Sequence, residues 1–431
     1  LFIVDIKIHC RIQTIMETNN KNFICLIGCG GREHQIAKSL KKNDDVKLLV
    51  IGEYVNPLID TLADVYCCYD LSNTEYVDRI LGEYLIKYII IGPEKPLELG
   101  VADMFLERNI PVIGPTKQYA LIETDKNYCR NIMRKYSMSN YSPKYYFIDE
   151  FNIDNLETIF ESLGDYVIKD CGLCGGKGVK IKGDHFKNDI EGMAICKLIL
   201  EKNKTLLIEE KLIGEEFSLM SFTDGEELKH MPPIKDYKRA YENDKGPNTG
   251  SMGAVSFKNH CLPFLEKHDI LKAQFINKQI VRSLKKENDD NLGFKGIIYG
   301  SFIKTKDGIK VIEYNARFGD PEAINALEIL ETDLNSIFTH INNNTLKDIE
   351  VNFKRQNTLC KYIVPSGYPG NPIKNKLIHI PEEISFDNLI CASINTGVNY
   401  DIRSVNLRGS RAFALIYSGE DLNSLIEKSN Y

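Results

Sequence analysis

The chain is 431 residues long, which at roughly 100 to 200 residues per domain implies two to four domains. Hydrophobic residues make up 43% and charged residues 26%, a globular composition that excludes wholesale disorder, collagen-like repeats and a long coiled coil. Lys and Arg number 54 against 60 Asp and Glu, so the net charge of -6 offers no global field to nucleic acid or an acidic membrane, and any bound polyanion must be small and locally held.

Residues 1–20 read as an extension, a short apolar run interrupted by Asp5 and Lys7, with Met16 a candidate initiator. FICLI (23–27) is a continuous apolar run, followed by GCGG and then by REHQIAKSLKK with apolar positions at Ile36, Ala37 and Leu40. That is strand, tight turn, helix. KLLVIG (47–52) and YIIIGP (88–93) repeat the buried-strand pattern, LGVADMFLERN reads as one helix and IPVIG as a short strand. Such alternation predicts a parallel, doubly wound α/β sheet whose ligands sit at the carboxyl ends of the strands. This N-terminal α/β domain is set at 21–123.

A helix with apolar Ile132 and Met133 is expected to begin near Asp125. Shorter strands rich in β-branched residues follow: YYFI (145–148), YVIKDC (166–171), GVKIK (178–182), TLLIEEKL (205–212) and EFSLMSFTDG. Their pairing through turns suggests an antiparallel α+β unit at 124–350, with a mobile lid at about 140–210. FKGIIYGSFIKTKDGIKVIEYNAR is a hairpin expected to turn at Asp307-Gly308. From 351 to 431, TLCKYIVP and RAFALIY flank a Gly/Pro-rich turn, composing a small β-rich C-terminal domain without a chemical motif of its own. No apolar run reaches the roughly eighteen residues that span a bilayer. Twelve scattered cysteines in a chain of this size fit a reducing cytoplasm, and the Cys171/Cys174 pair lacks the second pair that a zinc site needs.

Three clusters carry chemistry. Gly28-Cys29-Gly30-Gly31-Arg32-Glu33-His34 has Glu33 where a dinucleotide fingerprint needs a third glycine, which weakens a nicotinamide reading. What survives is a turn at a helix N-terminus, suited to phosphate, or else a tight turn that only needs glycine. Lys169-Asp170-Cys171-Gly172-Leu173-Cys174-Gly175-Gly176-Lys177-Gly178 is no Walker A loop; it puts a lysine on a strand before a glycine turn that is either a phosphate cradle or a plain β-turn. In Glu313-Tyr314-Asn315-Ala316-Arg317, strand alternation points Glu313, Asn315 and Arg317 the same way. Carboxylate and amide oxygens suit Mg²⁺ and the arginine a phosphoryl group, unless this is a solvated polar sheet face. The loops Asp236-Tyr237-Lys238-Arg239, Gly246 to Gly253 and Phe318-Gly319-Asp320-Pro321-Glu322 are dense in functional groups, and the eight histidines are isolated.

Taken together the chain resembles the ATP-grasp superfamily and, within it, the phosphoribosylamine-glycine ligase family. The likeness rests on seven collinear segments over about 400 residues: GCGGREH, IGPEKPLELGVAD, IGPTKQYALIETDK, VIKDCGLCGGKGV, IEEKLIGEE, KDYKRAYENDKGPNTGSMGA and IEYNARFGDPE. It implies ligation of glycine to 5-phosphoribosylamine, with ATP cleaved to ADP and phosphate through a glycyl phosphate. It further implies Mg²⁺, with Mn²⁺ as a substitute, and a monomer, with a homodimer as the alternative. By this resemblance Lys126 and Lys169 are the nucleotide lysines, Gly175, Gly176, Lys177 and Gly178 the loop over the phosphates, and Glu209, Glu210 and Leu212 the adenine-binding edge with Glu216 near the ribose. Glu313 and Asn315 resemble the metal ligands. Gly30, Gly31, Arg32, Gly92, Pro93, Glu94, Pro247, Asn248 and Thr249 are similar to the phosphoribosylamine side, with Asp236 and Lys238 also substrate-binding. Arg317 and Asp320 resemble residues near the reacting glycine, which with Lys169 form the catalytic set. Departures from the family pattern are Cys171 and Cys174 for small residues, Lys235 for Gln, Tyr237 for His and Ile324 for Gln. Competing readings are another ligase or carboxylase of the same fold, a nucleotide-binding regulatory protein without catalysis, and a nicotinamide-linked dehydrogenase.

Overall fold

The computed structural model describes residues 22–68, 82–172, 178–290, 292–396 and 401–430. The expected extension and the loop residues Gly175, Gly176 and Lys177 lie outside the described residues.

Phe23–Ile27 (β1), Lys47–Gly52 (β2), Val65–Cys68 (β3), Ile86–Ile91 (β4) and Val112–Ile113 (β5) form a parallel sheet ordered β3-β2-β1-β4-β5. The β1 run is apolar throughout because both faces are covered: Phe23, Cys25 and Ile27 join one core cluster, Ile24 and Leu26 another. Strand order reverses between β1 and β4, so the GCGG turn and the Gly92-Pro93-Glu94 loop leave the sheet side by side at its switch point. The helix expected in LGVADMFLERN runs over Val101–Leu106, and a separate short helix, Glu94–Leu99, precedes it, the two parted by Gly100, which turns left-handed at φ +81.

Tyr145–Ile148 (β6), Tyr166–Asp170 (β7), Val179–Ile181 (β8) and Leu206–Glu210 (β9) make an antiparallel sheet ordered β6-β9-β7-β8. Helices Leu156–Leu163 and Asp189–Asn203 close it around a separate core in which Phe160 stacks on Tyr166 at 4.1 Å. Glu215–Asp224 (β10), Leu228–His230 (β11), Lys295–Thr305 (β14) and Gly308–Asn315 (β15) form a second antiparallel sheet ordered β11-β10-β14-β15, with Lys235–Tyr241 (β12) and Lys245–Ser256 (β13) between them in sequence. The hairpin loop is Lys306-Asp307, one residue earlier than expected, because Gly308, at φ +103, already pairs with Thr305. β14 crosses close to β5: a Cβ on Gly296, itself at φ +123, would sit 3.1 Å from the Gly114 nitrogen.

The C-terminal residues are β-rich as expected, but their strands do not stand alone. Asn357–Ile363 (β16), Leu389–Cys391 (β18) and Phe413–Gly419 (β21) continue the sheet that β12 and β13 begin, ordered β12-β13-β16-β21-β18. Leu377–His379 (β17), Ile394–Thr396 (β19) and Ser404–Leu407 (β20) form a small sheet of their own. The two chain ends are latched at Cys391, whose N–H donates to His34 Nδ1 at 2.9 Å while its carbonyl accepts from Asn56 Nδ2 at 2.9 Å. Among the described residues no helix is long and apolar enough to cross a membrane.

Candidate active site

One cleft of about 1250 Å³ is bounded by the switch-point turns, the β7–β9 sheet, the β12–β13 hairpin and the tip of β15. Lys169 of β7 pairs with Glu209 Oε2 at 2.6 Å, and Arg130 Nε pairs with Glu209 Oε1 at 2.6 Å. Both cations also donate to the Ile312 carbonyl, Arg130 Nη2 at 2.6 Å and Lys169 Nζ at 3.3 Å. Ile312 is the extra residue of a bulge in β15, since Glu313 faces Ser301 and Val311 faces Phe302. Burial alone would raise the Glu209 carboxyl, but Arg130 and Lys169 together outweigh it and hold it at about 2. Two buried cations thus share one carboxylate and one carbonyl, leaving positive charge for a phosphate. Lys126 lies one turn before Arg130 on the same helical face, after the Asp125 cap, and donates to the Gly172 carbonyl at 3.0 Å where the glycine segment begins.

At the tip of β15, Glu313 and Asn315 both face the cleft. Among the described residues the Glu313 carboxylate makes no ion pair and no side-chain hydrogen bond, and Asn315 Oδ1 accepts only from Arg317 Nη2, at 3.3 Å. One free carboxylate beside an amide oxygen fits Mg²⁺, which keeps most of its shell for water and phosphate. β15 ends at Asn315, so strand alternation does not itself carry Arg317 to the cleft. Glu123 does: it pairs with Arg317 Nη2 at 2.9 Å through one oxygen and accepts the Ala316 N–H at 2.7 Å through the other. Burial would lower the Arg317 guanidinium, yet Glu123 and Glu94, the latter 3.6 Å from Nε, raise it above its usual value.

The glycine turn differs from the sequence expectation in one respect. Its amides are not all free, because Gly30 N–H donates to Glu33 Oε2 at 2.7 Å, and Arg32, 2.5 Å from Glu33 Oε1 and 3.1 Å from the Phe318 carbonyl, compensates that charge. Gly30, Arg32, Pro93 and Glu94 line the cleft, while Gly31 and Gly92 make room behind it: a Cβ on Gly31 would lie 2.6 Å from the Tyr362 hydroxyl, and one on Gly92 would collide with Glu33. Gly178, Glu216, Asp236, Lys238, Asn248, Thr249 and Asp320 also line it; Glu210, Leu212 and Pro247 do not. Glu210 alternates with Glu209 to the other side of β9, where it accepts the Lys144 N–H at 2.8 Å, and Leu212 lies in coil beyond the strand.

Lys238 pairs with Glu216 at 3.1 Å; burial would lower its ammonium, but Glu216, Asp236 and Glu313 raise it. Asp236 keeps a buried oxygen without a hydrogen-bond partner among the described residues. Burial, then the nearby Glu322 charge, push its carboxyl up to about 7 against the pull of Lys238. Asp320 accepts from the Tyr362 hydroxyl and pairs with Arg411 Nη2 at 3.1 Å. Of the departures, Lys235 pairs with Glu215 at 2.9 Å, Tyr237 is exposed at the cleft rim, Ile324 is buried beside Tyr362 in the C-terminal core, and burial raises the Cys171 thiol to about 11.

Sequence reasoning gave no individual role to Arg130, Glu123, Glu322, Tyr362 or Arg411. Arg130 had a signal in its spacing from Lys126, and Glu322 stands inside the RFGDPE segment. Tyr362 and Arg411 had none.

The fold has known counterparts. A biotin carboxylase domain of 2-oxoglutarate carboxylase from Hydrogenobacter thermophilus, solved with MgADP and bicarbonate, shares the fold at a TM-score of 0.68 and 15% identity, covering 95% of this chain and 89% of that one. The chain is an ATP-grasp enzyme, a class that uses ATP with a divalent metal: residues 124–323 match the family described as Phosphoribosylglycinamide synthetase, ATP-grasp (A) domain. Residues 22–123 match Phosphoribosylglycinamide synthetase, N domain. A phosphoribosylamine–glycine ligase from Methanococcus vannielii is 40% identical over 400 residues, 91% of this chain and 89% of that protein. The crystal structure of phosphoribosylamine–glycine ligase from Thermotoga maritima aligns at a TM-score of 0.77 and 24% identity, covering 94% and 95%. This chain belongs to the phosphoribosylamine–glycine ligase family.

Proposed function

We infer that the chain ligates glycine to 5-phosphoribosylamine, giving glycinamide ribonucleotide, ADP and phosphate in purine biosynthesis. A free carboxylate is a poor acyl donor because oxide leaves badly. Transfer of the γ-phosphoryl group to the glycine carboxylate gives glycyl phosphate; the amine then attacks its carbonyl carbon, phosphate departs and the amine loses a proton. Positioning and charge stabilisation carry such a reaction, along with exclusion of water from the mixed anhydride.

The observation that supports this most is the meeting of Lys169 with the Ile312 carbonyl, which brings the nucleotide lysine onto the strand that carries Glu313. In this reading Lys126, Lys169 and the 175–178 segment hold the phosphates, and the cleft-facing end of β9 at Glu209, with Glu216, holds the nucleoside. A Mg²⁺ or Mn²⁺ held by Glu313 and Asn315 would supply charge neutralisation to the phosphates. Gly30, Arg32, Pro93, Glu94, Asn248, Thr249, Asp236 and Lys238 serve phosphoribosylamine and glycine, and Arg317 and Asp320 stand beside the reacting carboxylate. The domain division is 21–123, 124–350 and 351–431, the β6–β9 unit closing as a lid. The chain acts in the cytoplasm as a monomer, which light scattering on the purified protein checks.

Substrate omission tests the reaction. Phosphate release from ATP is expected only when glycine, phosphoribosylamine and Mg²⁺ are present together. Release with bicarbonate in place of glycine would instead make the chain a carboxylase of the same fold.

A further inference from the structure

We propose that Arg411 is a positioning residue for the ligation, holding the Asp320 carboxylate and the Gly250-Ser251 backbone in one orientation at the substrate end of the cleft. The inference rests on the reading that Asp320 belongs to the reacting centre. Both oxygens of Asp320 are engaged by residues of the C-terminal region: Oδ1 accepts from the Tyr362 hydroxyl, and Oδ2 pairs with Arg411 Nη2 at 3.1 Å. Two donors, one on each oxygen, fix the plane of the carboxylate, and each oxygen keeps a further lone pair for a donor on the substrate. Arg411 Nη1 donates to the Asp320 carbonyl at 3.1 Å, to the Gly250 carbonyl and to the Ser251 carbonyl at 3.4 Å. Its guanidinium lies 4.3 Å from the centroid of the Tyr362 ring, so hydroxyl and guanidinium act as one unit.

Ser251 supplies an independent sign that this gathering matters. It sits at φ +99 without being glycine, a backbone that persists only where its surroundings over-determine it. Those surroundings are the Arg411 contact to its carbonyl, its own hydroxyl donating to the Gly253 carbonyl at 3.0 Å, and Thr249 Oγ1 accepting its N–H at 3.0 Å. Arg411 thus ties the Thr249 loop to Asp320, and only a planar fork of donors reaches a carboxylate and three carbonyls at once.

The test uses the full chain and the variants Arg411→Ala, Arg411→Lys and Tyr362→Phe, with Asp320→Asn as reference. Measured are kcat, KM for each substrate and the melting temperature. Misplacement of a reacting group by about 1 Å costs on the order of 100-fold, so Arg411→Ala is expected to lower kcat about 100-fold with KM for ATP within about twofold. Millimolar guanidinium ion is expected to restore at least part of that loss, and Arg411→Lys, which keeps the charge but not the fork, to stay near the alanine variant. Tyr362→Phe removes a single hydroxyl and keeps the ring, and it is expected to lower kcat about tenfold while lowering the melting temperature by only about 2 to 4 °C. Unchanged kcat in Tyr362→Phe, or a loss in Arg411→Ala that tracks its melting temperature and resists guanidinium, would overturn the proposal. Asp320→Asn separates the two layers: full activity in it removes the reading of Asp320 and this inference with it, whereas its collapse beside an active Arg411→Ala and Tyr362→Phe removes the inference alone.

Discussion

Asp236 and Glu313 line the same cleft in opposite circumstances. Asp236 is raised to about 7 by burial and by Glu322, with Lys238 and Arg411 opposing, so the folded chain holds its proton above the ordinary value of 3.8. Stability from this group is present at low pH and lost as pH rises through about 7, because the unfolded carboxyl ionises first. Asp236→Asn is therefore expected to gain up to about 4 kcal/mol on the parent between pH 4 and pH 8, read by urea unfolding at several pH values; parallel curves for the two proteins would refute the assignment. Glu313 offers the cleft a carboxylate that makes no ion pair among the described residues. Glu313→Gln is expected to lower Mg²⁺-dependent turnover by about 10² to 10³ with little change in melting temperature, and unchanged turnover would remove it from the metal site. The carboxylate and amide were legible from alternation along a single strand. Arg317 was reached for the wrong local reason, since its place depends on Glu123 rather than on the pleat.

Elements were legible wherever a continuous apolar run or strict alternation spelled them, as in FICLI and in the IKVIEYN strand, because burial on one or two faces writes its period into the sequence. They were misread where a single residue overruled the pattern. Gly308 moved a turn by one position. The short β3 run escaped notice at four residues. Sheet membership of the C-terminal strands was not legible either, since β16 pairs with β13 across about a hundred residues, as in Gly253 with Lys361, and no local period records that choice. At this scale the close crossing of β14 over β5 gives a sharp test. Gly296→Ala places a Cβ 3.1 Å from the Gly114 nitrogen on a backbone at φ +123, and is expected to cost about 1 to 3 kcal/mol, seen as a lower melting temperature. No change would mean that the crossing relaxes freely.

Across the whole molecule, His34 shows how a residue inside a family motif can serve architecture. Its Nδ1 accepts the Cys391 N–H, tying the first helix to the C-terminal sheet that carries Tyr362. Burial, with Lys38 adding to it, lowers the imidazole to about 3, so it is neutral in the folded chain and ready to accept. The unfolded histidine takes up a proton below pH 6.5 and the folded one does not, so stability is lost as pH falls from about 6.5 toward 3. Between pH 7 and 4.5 the parent is expected to lose about 2 to 3 kcal/mol through this group, and His34→Gln correspondingly less, although the variant starts less stable at pH 7. Equal acid sensitivity in the two would show that the latch does not bear on stability. The sequence by itself determined the parallel first sheet, the antiparallel centre and the order of the GCGGREH, VIKDCGLCGGKGV and IEYNARFGDPE segments, because each is written in spacings of a few residues. Only the tertiary structure decided which charges neutralise which: Arg130 with Glu209 across 79 positions, Arg130 with the Ile312 carbonyl across 182, and Arg411 with Asp320 across 91. The reason is physical: a buried ion pair depends on where two distant segments come to rest, and chain entropy leaves no trace of that meeting in either segment's local pattern.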